Sequence, residues 1–174
     1  VRLFQPQLDG GRAYWLETRP QDEGRTVLVG ERPDGDPVDL SPPNFSVRSR
    51  VHEYGGGAYR VQGDDIWFVE NTDQAIYHLR AGETPRRLTD QPDHRHADLV
   101  RDEHRARILC VCEDHGRSGE PENFIAAVDD EGHKTVIARG QDFYSAPKLS
   151  ADGRWLAWIS WRHPNLPWDG TELW

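Results

Sequence analysis

The 174-residue chain contains no methionine and only two cysteines, and its 30 acidic residues outnumber its 21 basic ones. The formal net charge of -9 argues against a nucleic-acid-binding surface, which needs clustered lysines and arginines. No apolar run approaches the roughly 20 residues that cross a bilayer, and no charged and apolar leader opens the sequence. We therefore expect a cytoplasmic protein that binds neither nucleic acid nor membranes.

The two cysteines, Cys110 and Cys112, are two positions apart on a predicted strand, so both side chains point to one face. The pleat holds them parallel, with α-carbons roughly 6.5 Å apart, at the stretched end of disulfide geometry. A metal site would need two further ligands, and the nearby His115 supplies at most one. We expect buried free thiols, and we predict no metal site and no cofactor.

A strand pattern recurs about every 50 residues, which is the period of a propeller blade. One hydrophobic strand appears four times, at residues 12–17, 65–70, 107–112 and 154–160. A second set recurs at the same period, at residues 26–29, 75–79, 124–128 and 171–174. The last repeat contains an Asp-Gly turn between two strands, as in an antiparallel hairpin.

These repeats predict an all-β protein, a β-propeller of three four-stranded antiparallel blades and part of a fourth. The blades are expected at residues 1–47, 48–95, 96–144 and 145–174, the last incomplete, and together they form one partial propeller domain. The sequence stops inside the predicted third strand of the fourth blade. We therefore expect a fragment of a seven-bladed ring, and we expect its open blade edges to favour self-association.

The predicted central strands are hydrophobic on both faces, as a sheet between two neighbouring sheets requires. The tryptophans should then pack between blades. We expect core positions for Trp15, Trp67, Trp155 and Trp158.

Loop length separates the two faces of the predicted disc. In an antiparallel blade, the first and third turns fall on one face, and the second turn and the connection to the next blade fall on the other. The first face receives tight turns at residues 9–11, 63–65, 102–104 and 152–153. The other face receives long loops at residues 41–57, 90–96, 113–123 and 163–170. Long, chemically varied loops are where a scaffold carries function, so we predict a functional long-loop face.

The motifs of catalysis are missing from these loops. There is no Gly-x-Ser-x-Gly elbow, no P-loop and no His-Glu-x-x-His, and residues 55–57 are interpreted as a glycine turn leading into a strand. Residues 93–96 could act as metal ligands, but a run of this kind more often forms a polar loop between blades. Residues 113–115 could form an acid-base cluster, yet three adjacent side chains rarely converge. We predict no catalytic residue in this chain.

Several of the same loops resemble a known family. The stretches RVHEYGGGAY at 50–59, residues 113–115 with 120–123, APKLSADGRWLAW at 146–158 and HPNLPWDGTELW at 163–174 are similar to the propeller of bacterial prolyl-oligopeptidase-family serine peptidases. The nearest branch is the one named dipeptidyl aminopeptidase or acylaminoacyl-peptidase. The Ala-Pro-x-x-Ser-x-Asp-Gly element is shared with TolB-like propellers, whereas the stretches at 52–58 and 163–170 are narrower.

The resemblance implies an N-terminal propeller that caps a C-terminal α/β-hydrolase domain. In that family a Ser-His-Asp triad in the hydrolase domain cleaves short peptides through an acyl-enzyme, and the propeller restricts access to small or unstructured substrates. No triad member falls within these 174 residues, so none is carried over. The implied partners are the chain's own hydrolase domain and short peptides.

Two functions remain open from the sequence. The chain is either the gating portion of a serine peptidase or a TolB-like noncatalytic propeller whose face binds another protein. For the first function, a carboxylate on the long-loop face could pair with a substrate's free amine; alternatively, the loops only fix a domain interface. The substrate-facing candidates are Glu53, Tyr54, Glu113, His115, His163, Trp168 and Asp169.

Overall fold

The computed structural model describes residues 1–174 as fifteen β-strands and two short 3₁₀ turns, Pro20–Asp22 and Glu103–Arg105. Blade 1 consists of β1 (Arg2–Asp9), β2 (Arg12–Arg19), β3 (Arg25–Glu31) and β4 (Pro37–Asp39). Blade 2 consists of β5 (Tyr59–Gln62), β6 (Asp65–Val69), β7 (Ile76–Arg80) and β8 (Arg86–Arg87). Blade 3 consists of β9 (His94–Asp102), β10 (Arg107–Asp114), β11 (Glu122–Asp129) and β12 (Lys134–Arg139). Blade 4 consists of β13 (Phe143–Leu149), β14 (Leu156–Trp161) and β15 (Glu172–Leu173).

All four sheets are antiparallel and follow chain order, so the predicted all-β propeller is confirmed, with three four-stranded blades and a three-stranded fourth. The first strand of each blade is innermost, and β1, β5, β9 and β13 pack against one another in sequence. No helix of the structure has the length and apolar character needed to span a bilayer.

One carboxylate ties the inner strands of three blades together. Asp98 lies at an irregularity of β9, with φ at 55°. Its Oδ1 accepts the Gly57 N–H at 2.6 Å and its Oδ2 accepts the Ala146 N–H at 2.8 Å. Because each bond joins a different blade to blade 3, this side chain sets the spacing of blades 2, 3 and 4 near the centre of the arc.

The glycine run before β5 is required by close packing. Gly55 has φ at 87°, and a Cβ there would lie 2.7 Å from the Ser49 carbonyl oxygen. A Cβ on Gly56 would lie 2.9 Å from both the Ala97 Cβ and the Asp98 Oδ1. The run leads into β5, as the sequence predicted, and its lack of side chains lets it lie directly against β9.

The hydrophobic core consists of clusters between successive blades. The cluster between blades 2 and 3 contains both Cys110 and Cys112, packed with Trp67 and Phe124 among others. Both thiols are buried and unpaired, as predicted. Burial raises the pKa of the Cys112 thiol to about 12, so it is protonated at neutral pH.

The sequence expectations on tryptophan burial and on loop length were partly wrong. Trp155 is 73% exposed instead of core, because β14 begins only at Leu156 and blade 4 has a neighbouring blade on one side alone. Trp67 is buried as expected, whereas Trp15 and Trp158 are only half-buried. The expected 90–96 and 113–123 loops are also shorter, because β9 begins at His94, β10 ends at Asp114 and β11 begins at Glu122.

Candidate functional site

A cavity of about 690 Å³ opens on the long-loop face, where four loops meet. These are the connection from β4 to β5, the β10–β11 loop, the β12–β13 loop and the β14–β15 loop. Its walls are formed by residues 52–54, 113, 115, 120–123, 140–143, 161 and 163–168. The blade topology thus brings together segments separated by up to about a hundred residues, as predicted for this face.

Six of the seven candidate residues line this cavity. They are Glu53, Tyr54, Glu113, His115, His163 and Trp168. The seventh, Asp169, lies outside the lining, and its Oδ2 accepts the Leu166 N–H at 3.0 Å. Asp169 therefore shapes the β14–β15 loop and does not face the cavity directly.

Glu113 holds the loop at residues 50–55 in place. Its side chain is buried, and its Oε1 accepts the His52 N–H at 2.7 Å. Its Oε2 lies 3.0 Å from the His115 Nε2 and 3.8 Å from the Arg95 Nη1. His52 and the next residue, Glu53, both have left-handed backbones, with φ at 54° and 64°. Such a conformation costs free energy in a non-glycine residue, and the Glu113 carboxylate offsets part of that cost.

Glu53 occupies a different environment. Its side chain is 79% exposed, and its Oε1 accepts a hydrogen bond from Arg95 Nη1 at 2.5 Å. This hydrogen bond lowers the pKa of the Glu53 carboxyl, so it is ionised at neutral pH. Of these two carboxylates, Glu53 is the one free to exchange its partner for a ligand.

One wall of the cavity is aromatic. The Phe143 and Trp161 rings are stacked, with centroids 5.2 Å apart. The His52 ring packs edge-on against both at 5.4 Å, and His163 meets Phe143 at 4.8 Å. Phe143 and Trp161 were not among the residues predicted for the site. Trp161 ends β14 just before the long β14–β15 loop, which was the available signal for it, whereas Phe143 follows a short β12–β13 connection that gave none.

Two polar atoms near this wall lack hydrogen-bond partners. The His52 Nε2 and the Asn123 Oδ1 are both buried without one. Burial lowers the pKa of His52, opposed by the nearby Glu113 charge, so the imidazole is neutral at pH 7. The Asn123 side chain also partly offsets the lowering of the His52 pKa, so the two groups lie close to each other.

The cavity combines carboxylates, imidazoles and aromatic rings. Glu113 and His115 form a hydrogen-bonded pair, but no Ser, Thr, Cys or Lys lines the cavity to serve as the usual nucleophile. Asp114, the remaining member of the possible acid-base cluster at residues 113–115, lies outside the cavity lining and accepts the Gly116 N–H at 2.8 Å. An aromatic wall beside an exposed carboxylate matches a ligand with an apolar group and a positive charge.

No protein-family model and no curated protein sequence matches the chain. Among solved structures, puromycin hydrolase matches with a TM-score of 0.89 and 30% identity, over 99% of this chain and 30% of that one. A Mycobacterium tuberculosis puromycin-hydrolyzing peptidase matches with a TM-score of 0.87 and 34% identity, with the same coverage. The chain thus spans 30% of the length of both structures.

TolB from Acinetobacter baumannii matches with a TM-score of 0.67 over 99% of this chain and 40% of that one, but at 14% identity it shows the fold alone. The four antiparallel sheets define the class as a β-propeller. The chain matches the N-terminal propeller of prolyl-oligopeptidase-family (S9) peptidases, which confirms the resemblance found in the sequence.

Proposed function

We propose that the chain is the noncatalytic propeller portion of a serine peptidase and admits short peptides to a C-terminal Ser-His-Asp hydrolase domain. The long-loop face would lie against that domain, in the dipeptidyl aminopeptidase or acylaminoacyl-peptidase branch. The cavity on this face is the observation that carries the proposal. The neighbours named for hydrolysing puromycin support it. We also propose a cytoplasmic setting, as expected from the sequence.

The composition of the cavity suggests which peptides are admitted. Glu53 is ionised, exposed and bound only through Arg95, so its carboxylate can pair with a free amino terminus. Tyr54 and Trp168 are both exposed at the rim and can pack on an apolar side chain. We therefore propose short peptides with a free amine as the substrate class. Glu113, His115 and His163 would shape the cavity, and Asp169 the loop beside it.

The test uses the full-length protein that carries this propeller, with Glu53→Gln and a peptide in free-amine and N-acetylated forms. We expect the KM for the free-amine peptide to rise about tenfold, with the KM for the acetylated peptide unchanged. Glu83→Gln is the matched control, because Glu83 is exposed in the β7–β8 turn on the opposite face. Equal KM changes for both peptides would return Glu53 to a purely structural role.

The same proposal makes the 174-residue chain inert by itself. Labelling of any of its serines by a fluorophosphonate probe, together with turnover of a peptide, would contradict it. The alternative function is a propeller that binds another protein. In that case the intact protein, and not only the 174-residue chain, would lack peptidase activity.

We also propose that the chain self-associates through its terminal blades. Leu3 and Leu8 on blade 1 and Trp155, Leu173 and Trp174 on blade 4 are large, apolar and exposed. Sedimentation should show concentration-dependent assembly, because exposed apolar surface and strand edges favour pairing. A monodisperse monomer at high concentration would show that the terminal blades do not self-associate.

A further inference from the structure

Two histidines and a cysteine converge inside blade 3, away from the cavity. His94 and His96 lie on β9, and Cys112 lies on β10 directly opposite His96 in the antiparallel register. One ligand atom from each of the three side chains lies within 4.8 Å of the other two. None of the three residues lines the long-loop cavity, so the proposed peptide site does not use them.

Both imidazoles are oriented by partners on their outer nitrogens. The His96 Nδ1 lies 2.8 Å from the Gln74 carbonyl oxygen, which only accepts, so Nδ1 carries the hydrogen and Nε2 presents its lone pair to the cluster. The His94 Nε2 faces the Asp114 Oδ1 at 3.5 Å, while its Nδ1 faces the Cys112 Sγ at 3.6 Å. Metal-binding histidines have this arrangement, with the outer N–H directed to a carbonyl or a carboxylate.

A cation already occupies the point of convergence. The Lys134 Nζ lies 2.7 Å from the His94 Nδ1, 3.0 Å from the His96 Nε2 and 3.8 Å from the Cys112 Sγ. An ammonium group can only donate hydrogen bonds, so all three atoms present electron pairs to one positive centre. Lys134 is the first residue of β12, the outer strand of the blade, and is only half-buried. Its long side chain can therefore move its ammonium group into solvent.

We propose that His94 Nδ1, His96 Nε2 and Cys112 Sγ bind a divalent transition metal, and that the Lys134 ammonium competes with it for the same position. Zn²⁺ fits this set best, because it prefers imidazole and thiolate ligands and takes three protein ligands plus a water in tetrahedral geometry. On binding, the Cys112 thiol loses its proton to solvent and the lone pair so formed makes the bond from sulfur to zinc.

The test titrates the 174-residue chain with Zn²⁺ against a chromophoric chelator. All variants carry His133→Ala. This substitution removes one possible ligand from the exposed group of Asp129, Glu131 and His133, a second place where an ion could bind. We expect one Zn²⁺ per chain, and Lys134→Ala should bind it about tenfold more tightly, because the competing charge is gone. Asp114→Asn should weaken binding by about tenfold to a hundredfold, as loss of an orienting partner does at other metal sites.

Cys112→Ala should abolish this binding, whereas Cys110→Ala is the matched control and should keep it, because Cys110 is buried on the same face but lies outside the cluster. With Co²⁺ as the probe, the thiolate-to-metal absorption should require Cys112 and survive Cys110→Ala. Should Cys112→Ala fail to fold, His94→Gln at a half-buried position replaces it. Equal Zn²⁺ affinity with and without the Cys112 thiol, or no binding by Lys134→Ala, would overturn the proposal. These measurements involve no peptide, so they stand apart from the proposed function.

Discussion

The two faces of the blade arc satisfy their polar groups in different ways. On the short-turn face, each hairpin is closed by its own groups, as where Asp152 Oδ1 accepts the Ser150 hydroxyl at 2.6 Å. Equivalent turns of neighbouring blades are then joined to each other: the Gly63 N–H donates to Asp9 Oδ2 at 2.9 Å, and Arg105 Nη1 donates to the Gly153 carbonyl oxygen at 2.8 Å. On the long-loop face, the His52 N–H reaches Glu113, 61 residues away. The turn face therefore repeats the same small hairpin from blade to blade, with single bonds between equivalent turns. The loop face is held by contacts between loops that differ from blade to blade, and these loops enclose the cavity.

The largest expected effect is on stability, when one glycine on each face is replaced by alanine. Gly55→Ala places a Cβ against the Ser49 carbonyl in a left-handed backbone, whereas Gly63, with φ at 59°, has nothing within 4 Å. We expect Gly55→Ala to lower the free energy of unfolding by about 3 kcal/mol and Gly63→Ala by about 1 kcal/mol. Urea unfolding measures both. Similar losses would mean that the loop face adapts as readily as the turn face.

A smaller effect separates the two carboxylates of the loop face. Glu113→Gln keeps an acceptor for the His52 N–H but removes the charge beside His115 and Arg95, in a buried position. We expect a loss of about 2 kcal/mol in unfolding free energy. Glu53→Gln should leave the melting temperature nearly unchanged, because its side chain is exposed. If Glu53→Gln were the more destabilising variant, the roles assigned to the two residues would be reversed.

The smallest effect is a change in pH dependence. Burial lowers the pKa of His52 in the folded chain, so the unfolded chain binds more protons below its ordinary value near 6.5. The contribution of neutral His52 to the free energy of unfolding is fully present above that pH. It is lost as the pH falls through the lowered pKa. One such proton contributes a slope of up to about 1.4 kcal/mol per pH unit. Asn tolerates a left-handed backbone, so His52→Asn should reduce the slope of unfolding free energy against pH below about pH 6.5. An unchanged slope would show that His52 protonates freely in the folded state.

The repeat pattern alone was sufficient for the fold and for most of the candidate site. Strand periodicity and turn residues act within a few positions, so they predicted the blades and the long-loop face directly. The antiparallel topology of the blades then predicted one face for Glu53, Glu113 and Trp168. In the structure all three residues line one cavity on that face. The same local reasoning failed for Trp155, because whether a strand end is covered depends on the neighbouring blade.

The sequence by itself determined the blades, the two faces and the residues carried on each loop, because these follow from local hydrophobic pattern and turn chemistry. Only the tertiary structure decided which side chains meet across blades and strands. The bonds from Asp98 to two other blades and the stacking of Phe143 on Trp161 depend on the angle and spacing of neighbouring sheets. The approach of Lys134 to His94 and Cys112 likewise depends on blade twist and on register across four strands, which no short stretch of sequence specifies.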